Sequence, residues 1–224
     1  MSSRDQILGR VRRALADIPD DKETYDYDRA VPRDYLREHG DRSPLQTIDL
    51  LAENLADYRA TVHRADGDQL PALLARLLTE RGSRTVLVPP ALPPHWLAEG
   101  APAALVQDLA THTARELDTV DSVVTGCAVA VAETGTIVLD GGPDQGRRRI
   151  TLVPDHHICV VRIPDQVVSS VPQALERLDP AHPLTWISGP SATSDIELDR
   201  VEGVHGPRTL EVVLVSGVRR PRLA

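Results

Sequence analysis

The chain has 224 residues, of which 41% are hydrophobic and 26% charged, and it carries a net charge of −8. That length sets one domain with an extension as the prior, and the composition excludes disordered and fibrous classes. The acidic balance argues against a general nucleic-acid binder, whose electrostatic footprint is basic.

The first predicted element is a helix capped by Ser3, with Ile7, Leu8, Val11 and Leu15 on one face and Pro19 ending it. Residues 19–43 are polar, rich in Asp, Arg and Tyr, and read as an extended arm. A second helix spans about Pro44 to Tyr58, with Ser43 as N-cap, Pro44 at the first helical position and Ile48, Leu51 and Leu55 as its buried stripe. Ala60 to Arg64 is a short strand, and Gln69 to Arg81 is a helix closed by Gly82. Thr85 to Val88 is a buried strand, followed by the breakers Pro89, Pro90, Pro93 and Pro94. Ala103 to Val106 reads as a strand and 113–118 as a helical turn. Ser122 to Ala132, Thr136 to Leu139 and His157 to Arg162 read as strands, and Val167 to Leu178 as a helix. Leu184 to Ser188 and Leu210 to Val215 complete the pattern as strands. Short apolar strands bounded by helices predict an α/β fold, a mostly parallel sheet with helices on both faces, plus an N-terminal helical extension. The division is 1–43 for the helix and polar arm and 44–224 for the α/β domain.

The interior must be aliphatic, because the chain has no Phe, one Met, two Trp and four Tyr. Lys22 is the single lysine and Asn54 the single asparagine, an absence of AT-rich codons that reads as genome bias rather than chemistry. Cys127 and Cys159 lie far apart with no CxxC, so no iron–sulfur cluster or structural zinc site is expected on this chain alone, and reduced core thiols are. No GxGxxG or flavin motif is present, so neither an NAD nor a flavin site is expected, and the cofactor is left unknown. The first 15 residues have no apolar signal core and no membrane span is read, which predicts a soluble cytoplasmic protein.

Three segments can carry chemistry. In the first, Thr125 to Thr136, a strand of small apolar residues delivers Glu133 into the turn Thr134-Gly135-Thr136. Such a turn can hold an anion or place a carboxylate against a substrate, or it is a hairpin whose Glu133 satisfies local N–H groups. In the second, Gly189, Ser191, Thr193 and Asp195 follow a predicted strand, a place where an α/β sheet binds phosphate or carboxylate. Ser194 and Glu197 there also fit a capping box. In the third, His205 sits in Gly203-Val204-His205-Gly206-Pro207, as an acid–base group or a solvated loop histidine. His156 and His157 are adjacent on a strand and point to opposite faces, so they form no metal site. Arg147-Arg148-Arg149 is an anion-binding candidate or a solvated basic edge.

Taken together and in this order, Glu133-Thr134-Gly135-Thr136, the Gly189-Pro190-Ser191-x-Thr193-x-Asp195-Ile196-Glu197 run and Gly203-Val204-His205-Gly206-Pro207 resemble the lactate utilization protein C family, or LUD-domain family. The resemblance covers essentially the whole chain. It implies a fold like that of the phosphosugar-isomerase, acyl-CoA-transferase and formyltetrahydrofolate cyclo-ligase superfamily. It also implies a part in bacterial oxidation of L-lactate to pyruvate, with iron–sulfur partner subunits and a small carboxylate or phosphate-bearing ligand at the strand ends. Homo-oligomer formation stays open. Read from the three segments themselves, Glu133 and His205 are the candidate catalytic groups, and Thr134, Gly135, Thr136, Gly189, Ser191, Thr193 and Asp195 the ligand-binding ones; the resemblance itself transfers no catalytic residue. The alternatives are a stand-alone isomerase, CoA transferase or cyclo-ligase-like enzyme, with Glu133 as nucleophile or base, and a non-catalytic scaffold or binding module.

Overall fold

A computed structural model describes residues 3–14, 16, 32, 35–98, 103–193, 201–202 and 206–217. The chain falls into two compact units, residues 1–36 and 37–224. The first unit contains helix α1, Ser3–Ala14, where the sequence places it; Leu15 and Pro19 lie outside the described residues.

The second unit opens on helix α2, Pro44–Asp57. The Ser43 hydroxyl accepts from the Gln46 N–H and the Gln46 side chain accepts from the Ser43 N–H, a capping box that satisfies two end donors. Strand β1 (Thr61–Asp66) leads through a short 3₁₀ turn into α3 (Leu70–Arg81), which Gly82 closes in the left-handed conformation. Strand β2 (Thr85–Val88), a 3₁₀ turn at Pro94–Leu97, strand β3 (Ala104–Gln107) and the short helix α4 (Ala114–Asp118) follow. Then come β4 (Ser122–Thr125), β5 (Val129–Val131), β6 (Thr136–Leu139), a 3₁₀ turn at Arg148–Thr151 and β7 (His156–Arg162). The remainder is β8 (Val167–Val168), α5 (Val171–Leu175), β9 (Thr185–Ile187), the pair β10 (Ala192–Thr193) and β11 (Val201–Glu202), and β12 (Thr209–Ser216).

Six strands form an all-parallel sheet in the order β1-β12-β7-β4-β2-β3. One face packs on α3 and the buried Trp96 through Val124, Ile158, Val160, Val213 and Val215. The other face, with Cys159, Val161, Leu210, Val212 and Leu214, packs on Ile48, Leu51 and Leu55 of α2. Helices therefore cover both faces of a mostly parallel sheet, as the strand pattern requires.

A second sheet, which the sequence does not reveal, adds a layer. Its order is β8-β5-β6-β9, with β5 antiparallel to β6 and β6 antiparallel to β9. Its inner face contributes Ala130, Ala132, Ile137 and Leu139 to the α2 core, and its outer face packs on Ala174 and Leu178. The run Ser122 to Ala132 is thus two strands. Residues 126–128 carry the chain from one sheet to the other, and Gly126 allows it because a Cβ there would lie 2.6 Å from an Asp144 carboxylate oxygen. Likewise Val167 to Leu178 is not one helix. Val167–Val168 pairs with β5, and Ser170 then caps α5 by accepting from the Gln173 N–H.

Strand alternation separates the adjacent histidines. His156 belongs with Ile158 and Val160 on the α3 side, and His157 with Cys159 and Val161 on the other. On the α3 side a polar chain crosses the sheet. Ser83 Oγ lies 2.6 Å from Ser122 Oγ, and Ser122 Oγ 2.7 Å from His156 Nδ1. His156 Nε2 is 2.9 Å from one Glu211 oxygen and His63 Nε2 is 2.6 Å from the other. Cys127 and Cys159 are free, buried thiols; the hydrogen bond with Cys159, then burial, pushes the Cys127 thiol well up, so it stays protonated.

Candidate functional site

Glu133 ends the β5 side of the β5–β6 hairpin, and its surroundings explain why a Thr-Gly-Thr turn stands there. The Ala132 carbonyl accepts from Asn54 Nδ2 at 2.7 Å, which ties the turn to the end of α2. Gly135 has φ +55°, and a Cβ there would sit 2.7 Å from the Asn54 carbonyl carbon. The glycine therefore serves a close approach of two backbones. The Glu133 and Gly135 N–H groups donate to the Ser169 and Ala132 carbonyls, so neither is offered to a ligand.

The Glu133 carboxylate holds residues 39–42. One oxygen accepts from the His39 N–H at 2.9 Å and from Arg42 Nη1 at 3.2 Å, and the other lies 3.0 Å from His39 Nδ1. Burial works to raise the Glu133 carboxyl. The hydrogen bonds of the His39 main chain and ring, the His39 charge and the Arg42 bond outweigh it and hold the carboxyl below its ordinary 4.5. Residues 37–43, the end of the segment read from the sequence as an extended arm, also bind α5, with the Arg37 carbonyl accepting from the Ser170 hydroxyl and Glu38 from Gln173. The His39 ring is largely exposed, so each bond of this clamp is of modest strength. Glu133→Gln and Arg42→Ala are each expected to cost about 1 kcal/mol. Urea unfolding of both single variants and the double variant checks this, with a coupling of about 0.5–1 kcal/mol expected between the two sites.

Thr134 Oγ1 donates to Thr136 Oγ1 at 2.8 Å, and Thr136 Oγ1 lies 2.8 Å from Ser188 Oγ. Ser188 is on the wall of a cleft of about 290 Å³. Gly189, Pro190 and Ser191 continue that wall, and Ser191 N–H donates to the Pro207 carbonyl at 2.8 Å across it. Gly189 has φ +81°, with the Tyr58 carbonyl oxygen 2.2 Å from where a Cβ would be. His157 and Leu210, each the second residue of its strand, supply the side formed by the large sheet. Arg148 and Leu152 come from the 3₁₀ turn before β7, and Trp186 from β9.

The cleft is thus at the amino ends of β7 and β12, not at the carboxyl ends of the parallel strands. The Ser188–Ser191 segment follows β9, an antiparallel strand of the small sheet, so the carboxyl-end rule for parallel sheets does not govern it. Of the residues singled out from the sequence, Gly189 and Ser191 line the cleft and Thr136 reaches it through Ser188. Glu133, Thr134 and Gly135 do not line it. The Thr193 side chain, Asp195, His205 and the Ser194–Glu197 cap lie outside the described residues.

Two cleft residues carry more than the sequence reading gave them. His157 is fully buried; its Nε2 lies 2.8 Å from Thr125 Oγ1, and its Nδ1 has no hydrogen-bond partner among the described residues. Burial first, and the neighbouring His156 second, push its imidazole down to about 3, so the ring is neutral near pH 7. The signal was the strand alternation itself, which puts one histidine of the pair on each face. Within the arginine run, Arg147 is taken by Asp108, at 2.9 and 3.1 Å from its Nε. Arg148 lines the cleft and forms no ion pair among the described residues. No group of three or more His, Cys, Asp or Glu among the described residues could hold a metal ion, and no helix among them is long and apolar enough to cross a membrane.

Comparison with known proteins places this architecture. A lactate utilization protein C from Deinococcus radiodurans is 46% identical over 181 residues, covering 78% of this chain and 83% of that protein. A lactate utilization protein C from Halalkalibacterium halodurans is 28% identical over 199 residues, covering 81% of this chain and 83% of its own length. A crystal structure of a DUF162 family protein from D. radiodurans, 39% identical, superimposes with a TM-score of 0.67 over 79% of this chain and all of that one. The LUD domain model matches residues 48–215, which run from the buried stripe of α2 to the end of β12 and include both the Glu133 turn and the cleft. The chain therefore belongs to the LUD domain family.

Proposed function

We propose that this protein is a component of a bacterial lactate-utilization system, acting in the cytoplasm with iron–sulfur subunits in the oxidation of L-lactate to pyruvate, and that its own part is to bind a small anionic ligand in the Ser188–Ser191 cleft. The carrying observation is the 46% identical relative named lactate utilization protein C, aligned over 83% of its length. The cleft supports the second half: Ser188 and Arg148, a cation without an ion pair among the described residues, line it together with Leu152, Ile187 and Leu210. In this reading Glu133 anchors residues 39–42 and is not the nucleophile of a stand-alone transferase or isomerase, because both its oxygens are engaged. Deleting the gene is expected to abolish growth on L-lactate as sole carbon source while sparing growth on pyruvate. The intact chain, tagged and restored, should recover growth and co-purify with cysteine-rich iron–sulfur proteins. Unchanged growth on lactate would overturn the role, and recovery without any such partner would overturn the complex.

A further inference from the structure

We propose that the cleft selects 2-oxygenated carboxylic acids of five or more carbons, with the C2 oxygen on His157 Nδ1, the carboxylate at Arg148 and an apolar tail along Leu152, Ile187 and Trp186. This rests on the reading of the cleft as the site of a small anion. Three observations carry it further.

The first is the spent and unspent chemistry of His157. The residue is wholly buried in the wall, its Nε2 is engaged by Thr125, and Nδ1 is left without a partner among the described residues. Buried polar atoms are nearly always satisfied, and the exceptions call for an explanation. A ligand oxygen supplies one here. A neutral imidazole suits an uncharged oxygen rather than a carboxylate. When the Thr125 hydroxyl donates to Nε2, Nδ1 carries the proton and donates to a carbonyl. When Nε2 donates to Thr125, Nδ1 accepts from a hydroxyl. Both oxidation states of a 2-oxygenated acid are therefore accommodated by one tautomer exchange.

The second is the division of charge. Arg148 is exposed at the rim and unpaired among the described residues, whereas His157 is interior and uncharged. A ligand with its anionic end outward and its neutral oxygen inward matches both.

The third is size. A cavity of about 150 Å³ holds a six-heavy-atom molecule such as benzene. The cleft measures about 290 Å³, so a three-carbon hydroxy acid, also of six heavy atoms, fills only about half of it. The remaining lining includes Leu152, Ile187, Pro190, Leu210 and the 39% exposed Trp186, which suits a branched or aromatic tail.

Calorimetric titration of the full chain tests this with pyruvate, L-lactate, 4-methyl-2-oxopentanoate and phenylpyruvate, and with 4-methylpentanoate and 3-phenylpropanoate as tails lacking the C2 oxygen. The larger oxo acids are expected to bind about tenfold tighter than pyruvate, and about tenfold tighter than their deoxygenated counterparts. Arg148→Ala should weaken every carboxylate. Because His157 is buried and its replacement can compromise folding, its role is read on the wild-type chain. The His157 ring nitrogen resonances should move on adding phenylpyruvate and stay fixed on adding 3-phenylpropanoate. Equal affinity with and without the C2 oxygen, or unmoved His157 resonances, would overturn the inference and leave the anion site standing. Tightest binding by lactate or pyruvate would overturn the size argument. Failure of every carboxylate to bind would overturn the inference and the anion reading together.

Discussion

Gly189→Ala is expected to lower the unfolding free energy by about 2–6 kcal/mol. The residue has φ +81°, and strain of that kind costs about 1–3 kcal/mol for a side-chain-bearing residue. The new Cβ would also meet the Tyr58 carbonyl oxygen at 2.2 Å, and overpacking against a group that cannot rotate away adds about 1–3 kcal/mol. Gly135→Ala meets the Asn54 backbone at 2.7 Å and should behave alike. Gly82→Ala is the internal control, because Gly82 has φ +73° but nothing within 4 Å of its Cβ position. It should cost only about 1 kcal/mol. Guanidinium unfolding of the three variants separates the two components. If Gly189→Ala costs no more than Gly82→Ala, the close approach of the cleft wall to the end of α2 is not what the glycine serves.

Glu211→Gln is expected to cost about 2–4 kcal/mol at pH 7, because a charged acceptor shared by two histidines becomes a neutral amide facing a buried His156. The pH dependence is the more specific signature. Burial works to raise the Glu211 carboxyl, but hydrogen bonds from His156 and His63, with their charges, outweigh it and hold it at about 2 against an ordinary 4.5. The unfolded chain therefore binds more protons than the folded one between these values, and stability rises with pH across that window. The contribution is fully present above about pH 4.5 and is lost as the pH falls toward 2. Thermal unfolding from pH 7 to pH 3 should show the wild-type midpoint falling more steeply below pH 4.5 than that of Glu211→Gln. Parallel curves would remove the carboxylate bridge from the account of acid stability.

The large sheet was legible because most of its strands are short apolar runs set off by a helix or a turn, the polar β1 (Thr61–Asp66) being the exception, and α2 because Ser43 and Pro44 mark its start. The small sheet was hidden for two physical reasons. Ser122 to Ala132 is uninterrupted by charge, so the step between sheets shows only as Gly126, whose meaning depends on Asp144 sitting against it. Val167-Val168 merges with the apolar residues of α5, and only the Ser170 cap with Pro172 behind it separates them. In the site, the glycines at 135 and 189 stood out, but their reason is a backbone contact with α2 that no local pattern encodes. Glu133 was legible as a special carboxylate. That its partners are His39 and Arg42, some 90 positions earlier, was not. His157 was visible only as half of a pair, since an unpartnered ring nitrogen exists only once the strands are assembled.

The strand order bears on how the protein is made. Strand β12 lies between β1 and β7, pairing Thr61 with Glu211 and His156 with Thr209, yet it follows both in the chain. During synthesis β1 and β7 emerge with their inner edges open, and neither can close on the other because the intervening strand has not been made. Open edges of this kind recruit foreign strands. The aliphatic face that β12 completes stays wet for the same interval. Domains whose pairings join distant segments close slowly and expose such intermediates for longer. A ribosome paused before Thr209 thus holds a chain that can pair β7, β4, β2 and β3 but cannot join β1 to them, so residues 209–216 are the segment whose arrival closes the sheet.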